Sequence, residues 1–337
     1  MAIDRQNAMD LVITLYQRLL ERQPSESEQE GWVNALLQGM TAEKILISFL
    51  NSEEFTDKRK VQTTFPAGHY HSPVVNPADV KSYVAKARTM HAGELHGIHA
   101  DANAMRKIWQ SHLPFIKTTP FADHRSEGLR YFYQGGPFPY GDAITLRVMI
   151  EKYKPARIIE IGSGFSTACM LDTIVEVGLT DCKITCIEPY PDRLKSLLRP
   201  ADWHTVSLIE KPVQDINPAM VSSLQPGDIL FIDSTHVLKT GSDVHFELFE
   251  LLPRLAPGVV IHFHDVPFPF EYPDKWIFEL NYSWNEAYAL RALLMDSTAY
   301  NVIFWGSLLA SEYNKEIQEE FPLFLRNPGT SIWLERQ

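Results

Sequence analysis

Cysteine is scarce in this 337-residue chain. The three thiols, Cys169, Cys182 and Cys186, all fall in one stretch. They cannot build a disulfide scaffold, and Cys182 and Cys186 have no second pair to complete a zinc site. Ordinary buried thiols in a reducing, cytoplasmic setting are the expectation. Positive charge is also short: 31 Lys and Arg against 42 Asp and Glu leave a net −11. That balance argues against a nucleic-acid backbone or an anionic membrane surface as the main partner. No apolar run approaches the ~20 residues needed to span a bilayer, and no basic-then-apolar leader pattern stands at the start. The 45% hydrophobic and 22% charged composition is ordinary for a globular protein. The length suits two domains, or one large domain with an appendage.

The most informative stretch runs from Arg157 to Thr167, Arg-Ile-Ile-Glu-Ile-Gly-Ser-Gly-Phe-Ser-Thr. A β-branched apolar run ends in an acid and breaks into a glycine-spaced turn, where Gly162 and Gly164 let the backbone approach a ligand closely. Residues 168–177 have helical character, and the first N–H groups of that helix would point at the same ligand. A second strand, 183–187, ends in Glu188, at the spacing of a ribose-binding acid. The unit implies a cofactor carrying an adenosine. A dinucleotide fingerprint wants Gly or Ala where Thr167 stands, and a triphosphate loop needs a Gly-Lys-Ser/Thr that does not follow Gly164.

What remains, Glu160-x-Gly162-x-Gly164, resembles the first motif of class I S-adenosylmethionine methyltransferases. From that resemblance, Glu160, Gly162, Ser163, Gly164, Ser166, Thr167, Glu188, Pro189, Asp215 and Asp233 are expected to bind S-adenosylmethionine, with Glu188 on the ribose and Asp215 near the adenine. Two rival readings stay open: an NAD-dependent oxidoreductase on the same nucleotide-binding unit, and a non-catalytic cofactor-binding or scaffold protein.

From Arg157 onward strands and helices alternate, the pattern of a parallel sheet covered on both faces. Strands are predicted near 205–209, 228–233 and 259–264, with helices at 218–224, 244–252 and 285–295. Two closing strands, 301–305 and 330–334, flank a charged helical insertion and fit the antiparallel pair that ends methyltransferases of this class. The fold class is therefore α/β, a Rossmann-like methyltransferase sheet with an all-α module before it. That module occupies residues 1–60, where Leu11, Leu15, Leu19 and Leu20 recur at helical spacing. Ser25 with Glu28 forms a capping box, and Thr41 caps a further helix. Its Leu-Tyr-Gln-Arg-Leu-Leu-Glu-Arg-Gln-Pro and Phe49-Leu-Asn-Ser-Glu-Glu-Phe55 runs resemble a small bacterial helical module of unknown function. Residues 61–77 read as a linker. Residues 78–142 read as a helical and aromatic extension on the substrate side, and 143–337 as the cofactor-binding domain. Within 131–142 an aromatic, glycine-rich loop either covers the cofactor or packs the domain's edge. His91, His96 and His99 read as surface or pocket histidines, not as metal ligands.

Ligands of open α/β sheets sit beyond the carboxyl ends of the strands. There Asp228-Ile-Leu-Phe-Ile-Asp-Ser-Thr-His236 and Val259-Val-Ile-His-Phe-His-Asp265 deliver Asp233, His236, His264 and Asp265 as catalytic candidates. With Trp284-Asn-Glu-Ala-Tyr288, these runs resemble a bacterial methyltransferase family found among sugar- and natural-product-modifying enzymes. The resemblance spans roughly residues 65–337 and implies a small-molecule or sugar acceptor methylated on a hydroxyl, with a homo-oligomer as one use of the N-terminal segments. Metal-dependent O-methyltransferases place an acid after the fourth strand and Asp-Asn after the fifth. Asp233 and Asp265 match the first two ligands, Val266 stands in place of Asn, and His264 or His236 could substitute. Asp233, His264 and Asp265 are thus candidate ligands for magnesium or manganese. A histidine acting as general base is the alternative.

Overall fold

The computed structural model describes residues 3–59 and 64–337. They form two compact units, Met1–Ser72 and Pro73–Gln337, each with a hydrophobic core of its own. The expected linker includes residues 61–63, which lie outside the described residues.

The first unit is helical: Arg5–Leu19, Glu26–Leu37, Ala42–Leu50 and a short Glu53–Arg59 that periodicity does not reveal. The Ser25–Glu28 capping box forms in both directions, and the Thr41 hydroxyl caps its helix. Val12, Tyr16, Val33, Ile45 and Phe49 fill the core. Arg22 joins Glu28 to Glu54 and its guanidinium lies over the Tyr16 ring, so one side chain ties three segments together.

The second unit is built on a seven-stranded sheet: β1 Arg157–Ile161, β2 Lys183–Ile187, β3 Val206–Ile209, β4 Ile229–Ile232, β5 Val260–Phe263, β6 Tyr300–Trp305 and β7 Ile332–Arg336. Their order is β3-β2-β1-β4-β5-β7-β6. The first five pair in parallel, and β7 runs antiparallel to both β5 and β6. β4 and β5 are buried at every position, as strands covered on both faces must be. Residues 78–142 share this core: Val84, Met105, Trp109, Tyr131 and Phe138 belong to it. Arg106 and Trp109 both reach Glu320 of the insertion between β6 and β7.

Two predicted helices take tighter or looser forms. The 218–224 segment is a 3-10 turn, Pro218–Ser223, too short between Asn217-Pro218 and Gln225-Pro226 for an α-helix to propagate. The 244–252 segment starts as α-helix at Asp243–Phe246 and widens to a π-turn at Glu247–Leu251. Among the described residues, no helix is long and apolar enough to cross a membrane.

Because each unit owns its core, a chain beginning at Pro73 should unfold cooperatively, with the transition temperature of the corresponding phase in the full protein. Scanning calorimetry checks this. An aggregated product, or a transition without cooperativity, would show that residues 1–72 are needed for the sheet to form.

Candidate active site at the strand ends

The parallel ladder does not stop where the strands end. Gly162 donates its amide to the Ile187 carbonyl at 3.1 Å, Glu188 to Ile209 at 3.1 Å, Asp233 to Ile161 at 2.9 Å and His264 to Ile232 at 3.0 Å. Three of these four rungs, at Glu188, Asp233 and His264, are made by residues whose side chains carry chemistry, and the fourth by Gly162. Their positions are set by the sheet and not by flexible loops.

Gly162 has φ +78, and a Cβ placed there would lie 1.8 Å from the Asp233 carbonyl oxygen. No other residue fits. The turn that follows carries Ser163, whose amide donates to Glu188 Oε2 at 3.1 Å, while Tyr190 donates to Oε1 at 2.8 Å. Glu188 is half-buried and borders the cleft.

The cleft encloses about 330 Å³, within the range of small-molecule sites. Of the residues expected to touch the cofactor, Gly162, Ser163, Gly164, Ser166, Glu188 and Asp233 line it. Glu160, Thr167, Pro189 and Asp215 do not. Glu160 is fully buried beneath the turn, where its carboxylate accepts from the Ser166 and Thr167 hydroxyls and the Cys186 thiol. Burial, opposed by those hydrogen bonds, pushes its pKa up to about 7. Thr167 closes the arrangement by accepting the Gly164 amide. These two residues hold the turn and leave ligand contact to its backbone. Pro189 and Asp215 are exposed outside the cleft, Asp215 ending a 3-10 turn after β3. Phe165, Arg193, Ser234, Thr235 and Trp284 line it without having been expected to. In the aromatic loop, Pro137 and Phe138 line the cleft, while Tyr131 and Tyr133 pack in the core together with Phe138.

At the far end of the cleft Asp233, His236, His264 and Asp265 converge. His236 Nε2 lies 3.6 Å from Asp233 and 3.5 Å from Asp265, and its Nδ1 is 2.8 Å from Glu286. His264 repeats the arrangement: Nδ1 lies 3.4 Å from Asp233 and 3.3 Å from Asp265, with Nε2 facing Asp142 at 3.5 Å. Each imidazole is therefore held between an outer carboxylate and the central pair. Thr330 donates to Asp265 at 2.8 Å. His236 (φ +61) and Asp265 (φ +56) occupy the left-handed backbone region, a strain non-glycine residues keep when their surroundings enforce it. The enforcement is visible at His236, whose carbonyl accepts the amides of Asn285 and Glu286.

Electrostatics here runs against burial. Burial alone would depress the His236 pKa, but Glu286, Asp265 and Asp233 outweigh it and raise it. His264 behaves the same way: Asp265, Asp233 and Asp142 overcome its burial and hold it well above its ordinary value. Burial would raise Asp265, yet His264 and His236 bring it down to about 2. Behind the centre, burial raises Glu286 and Glu247, and Glu247 is pushed further by the Glu286 charge.

One carboxylate oxygen and two imidazole nitrogens, from Asp233, His236 and His264, lie within 4.8 Å of one another. His236 replaces Asp265 in the tightest trio, because the left-handed turn after β4 brings it back over Asp233; Asp265 stays beside both rings. Among the described residues, neither His264 nitrogen has a hydrogen-bond partner. That donor set, with outer carboxylates orienting the rings, fits a divalent cation. His91, His96 and His99 are exposed and away from this cluster.

Residues 159–266 match a family described as a methyltransferase domain, and residues 6–59 match one described as a domain of unknown function, DUF4214. An uncharacterised protein of Archaeoglobus fulgidus is 29% identical over 171 residues, half of this chain and 76% of that protein. The S-adenosylhomocysteine-bound methyltransferase PaMTH1 of Podospora anserina aligns at TM-score 0.38 and 17% identity, covering 82% of this chain and 100% of that one. The O-methyltransferase TomG of Streptomyces achromogenes, involved in tomaymycin synthesis and solved with S-adenosylmethionine, gives 0.39 and 15%, covering 78% and 98%. Residues 159–266, within the seven-stranded sheet of the second unit, thus carry a match to a methyltransferase domain, and the first unit carries the DUF4214 match.

If Glu188 presents its free lone pairs to the ribose, Glu188→Ala should weaken S-adenosylhomocysteine binding by about 1–3 kcal/mol, the usual loss for hydrogen bonds to a charged group. Isothermal calorimetry at fixed salt measures it. Unchanged affinity would take Glu188 out of the site.

Proposed function

We propose that this protein methylates a hydroxyl group of a small molecule, at the centre made by Asp233, His236, His264 and Asp265. The observation that carries the reading is the pair of buried imidazoles, each backed by a carboxylate and each turned toward the same two aspartates.

S-adenosylmethionine, when bound, supplies an electrophilic methyl group on a sulfonium. The chain's part is to place and prepare the acceptor. The turn at 162–166 and Glu188 hold the adenosine end, and Asp233 stands where the cleft passes from the glycine turn to the histidines. Phe138 and Trp284 flank the imidazoles, with ring centroids 5.5 Å from His264 and 4.5 Å from His236, and shield the reacting end from water. Orientation of an incoming hydroxyl by these fixed groups supplies part of the rate enhancement. A divalent cation held by Asp233, His236 and His264 would lower the pKa of that hydroxyl. The surrounding carboxylates favour cationic occupancy of the centre and raise the pKa of both imidazoles against their burial.

Chelation should abolish transfer of labelled methyl to hydroxylated small molecules, and manganese or magnesium should restore it. Asp233→Asn and His264→Ala should each cost on the order of 10²-fold in kcat, the upper part of the range for disturbed metal sites, while S-adenosylhomocysteine affinity barely moves in His264→Ala. Activity indifferent to chelator and intact in both variants would place the reaction elsewhere.

A further inference from the structure

We propose that a second, aromatic cavity beside the catalytic cleft is the acceptor pocket, and that it takes a neutral planar aromatic ring bearing the hydroxyl to be methylated, not a bare sugar. This rests on the methyltransferase reading above and adds the class of substrate.

The cavity encloses about 380 Å³ between the Pro77–Ala87 helix, which contributes Val80, Tyr83 and Val84, and the segment from Glu271 to Tyr288. Five rings of that segment form one array. Tyr282 stacks on Trp284 at 4.5 Å and 22°, Trp276 meets Trp284 edge-on at 5.2 Å, and Tyr272 meets Tyr288 at 5.6 Å. Such faces and edges match a flat aromatic guest. The backbone here is irregular, with a π-turn at Lys275–Glu279 and left-handed Asn281 and Ser283. Irregularities of this kind collect at functional sites.

Trp284 is the wall shared by cavity and cleft. Its ring lies 4.5 Å from His236, and the next residue, Asn285, donates its amide to the His236 carbonyl. A ring seated in the cavity is one tryptophan away from the carboxylate–imidazole centre.

The choice against a sugar comes from the wall's Asn281, Asn285, Tyr272 and Tyr288, whose hydrogen bonds are already made within the protein. The Asn281 amide donates to Val75 and its oxygen accepts the Ser283 hydroxyl. Asn285 is engaged at both ends with the Leu238 backbone. The Tyr272 oxygen accepts the Ala287 amide, and the Tyr288 hydroxyl donates to Glu271. A pyranose carries hydroxyls around its whole rim and would lose water beside these engaged groups without gaining partners from them. An aromatic ring pays no such cost. Glu271, buried in the wall, disfavours an anionic guest.

The test is calorimetric titration of the full chain with 2-naphthol, methyl β-glucoside and tetramethylammonium, and separately with S-adenosylhomocysteine. The expected result is one 2-naphthol site per chain and no binding of the other two probes. Filling the cavity with Val80→Trp should weaken 2-naphthol by about tenfold or more. Tyr83→Ala, at a largely exposed position that carries little of the fold, should weaken it in the same direction. Affinity for S-adenosylhomocysteine should stay within about threefold in both variants, since the adenosine is held in the other cleft. The pocket assignment is overturned if 2-naphthol does not bind, if neither variant changes its binding, or if the glucoside or tetramethylammonium binds instead. Failure of S-adenosylhomocysteine to bind the unmodified chain would strike the methyltransferase reading alone, because the 2-naphthol measurement is made without it.

Discussion

The site depends on one steric constraint: the backbone after β1 passes so close to the backbone after β4 that position 162 can carry no side chain. With glycine there, the turn lies against Asp233, and the ladder of the sheet extends by one rung at β1, β2, β4 and β5. That extra rung fixes Gly162, Glu188, Asp233 and His264 relative to one another with the rigidity of paired strands. Glu160, buried beneath the turn, adds a second tie by taking the Ser166 and Thr167 hydroxyls. The glycine-turn end and the histidine end of the cleft are therefore placed by the same parallel sheet, which is what preorganisation of a site on rigid elements requires.

Charge is concentrated where water is scarce. Asp142, Glu286 and Glu247 are buried, as are both histidines, and Asp265 is close to buried. Isolated carboxylates in such surroundings would be costly. Here each ring nitrogen of His236 and His264 faces a carboxylate. Removing one member leaves its neighbours uncompensated, which makes the group act as a unit. The loop that supplies Glu286 also supplies Trp284, so the residue that orients His236 and the residue that divides cleft from cavity arrive on one segment.

Much of this was legible in the sequence because its signals are local. The strands from β1 to β5 are short β-branched runs closed by acids or histidine, and Gly162, Gly164 and Glu188 follow from spacing within one strand–turn–helix unit. The convergence of Asp233, His236, His264 and Asp265 followed from the rule that ligands collect at strand ends. The outer carboxylates were not legible. Glu286 meets His236 fifty positions away in the chain, and Asp142 meets His264 from the helix that precedes β1. No periodicity reports such contacts. The Trp284-Asn-Glu-Ala-Tyr288 run was visible as a resemblance, yet its spacing gave no hint of which ring it would face. Glu160 misled for a related reason: an acid two residues before a glycine turn reads as a ligand contact, but alternation along β1 points its side chain into the core beneath the turn.

A crystal structure of the protein with S-adenosylhomocysteine and manganese tests the central claim most directly. The expected result is adenosine density against Glu188 and the 162–166 turn, with an anomalous manganese peak among Asp233, His236 and His264. S-adenosylhomocysteine bound outside this cleft, or saturating manganese with no peak at that trio, would contradict it.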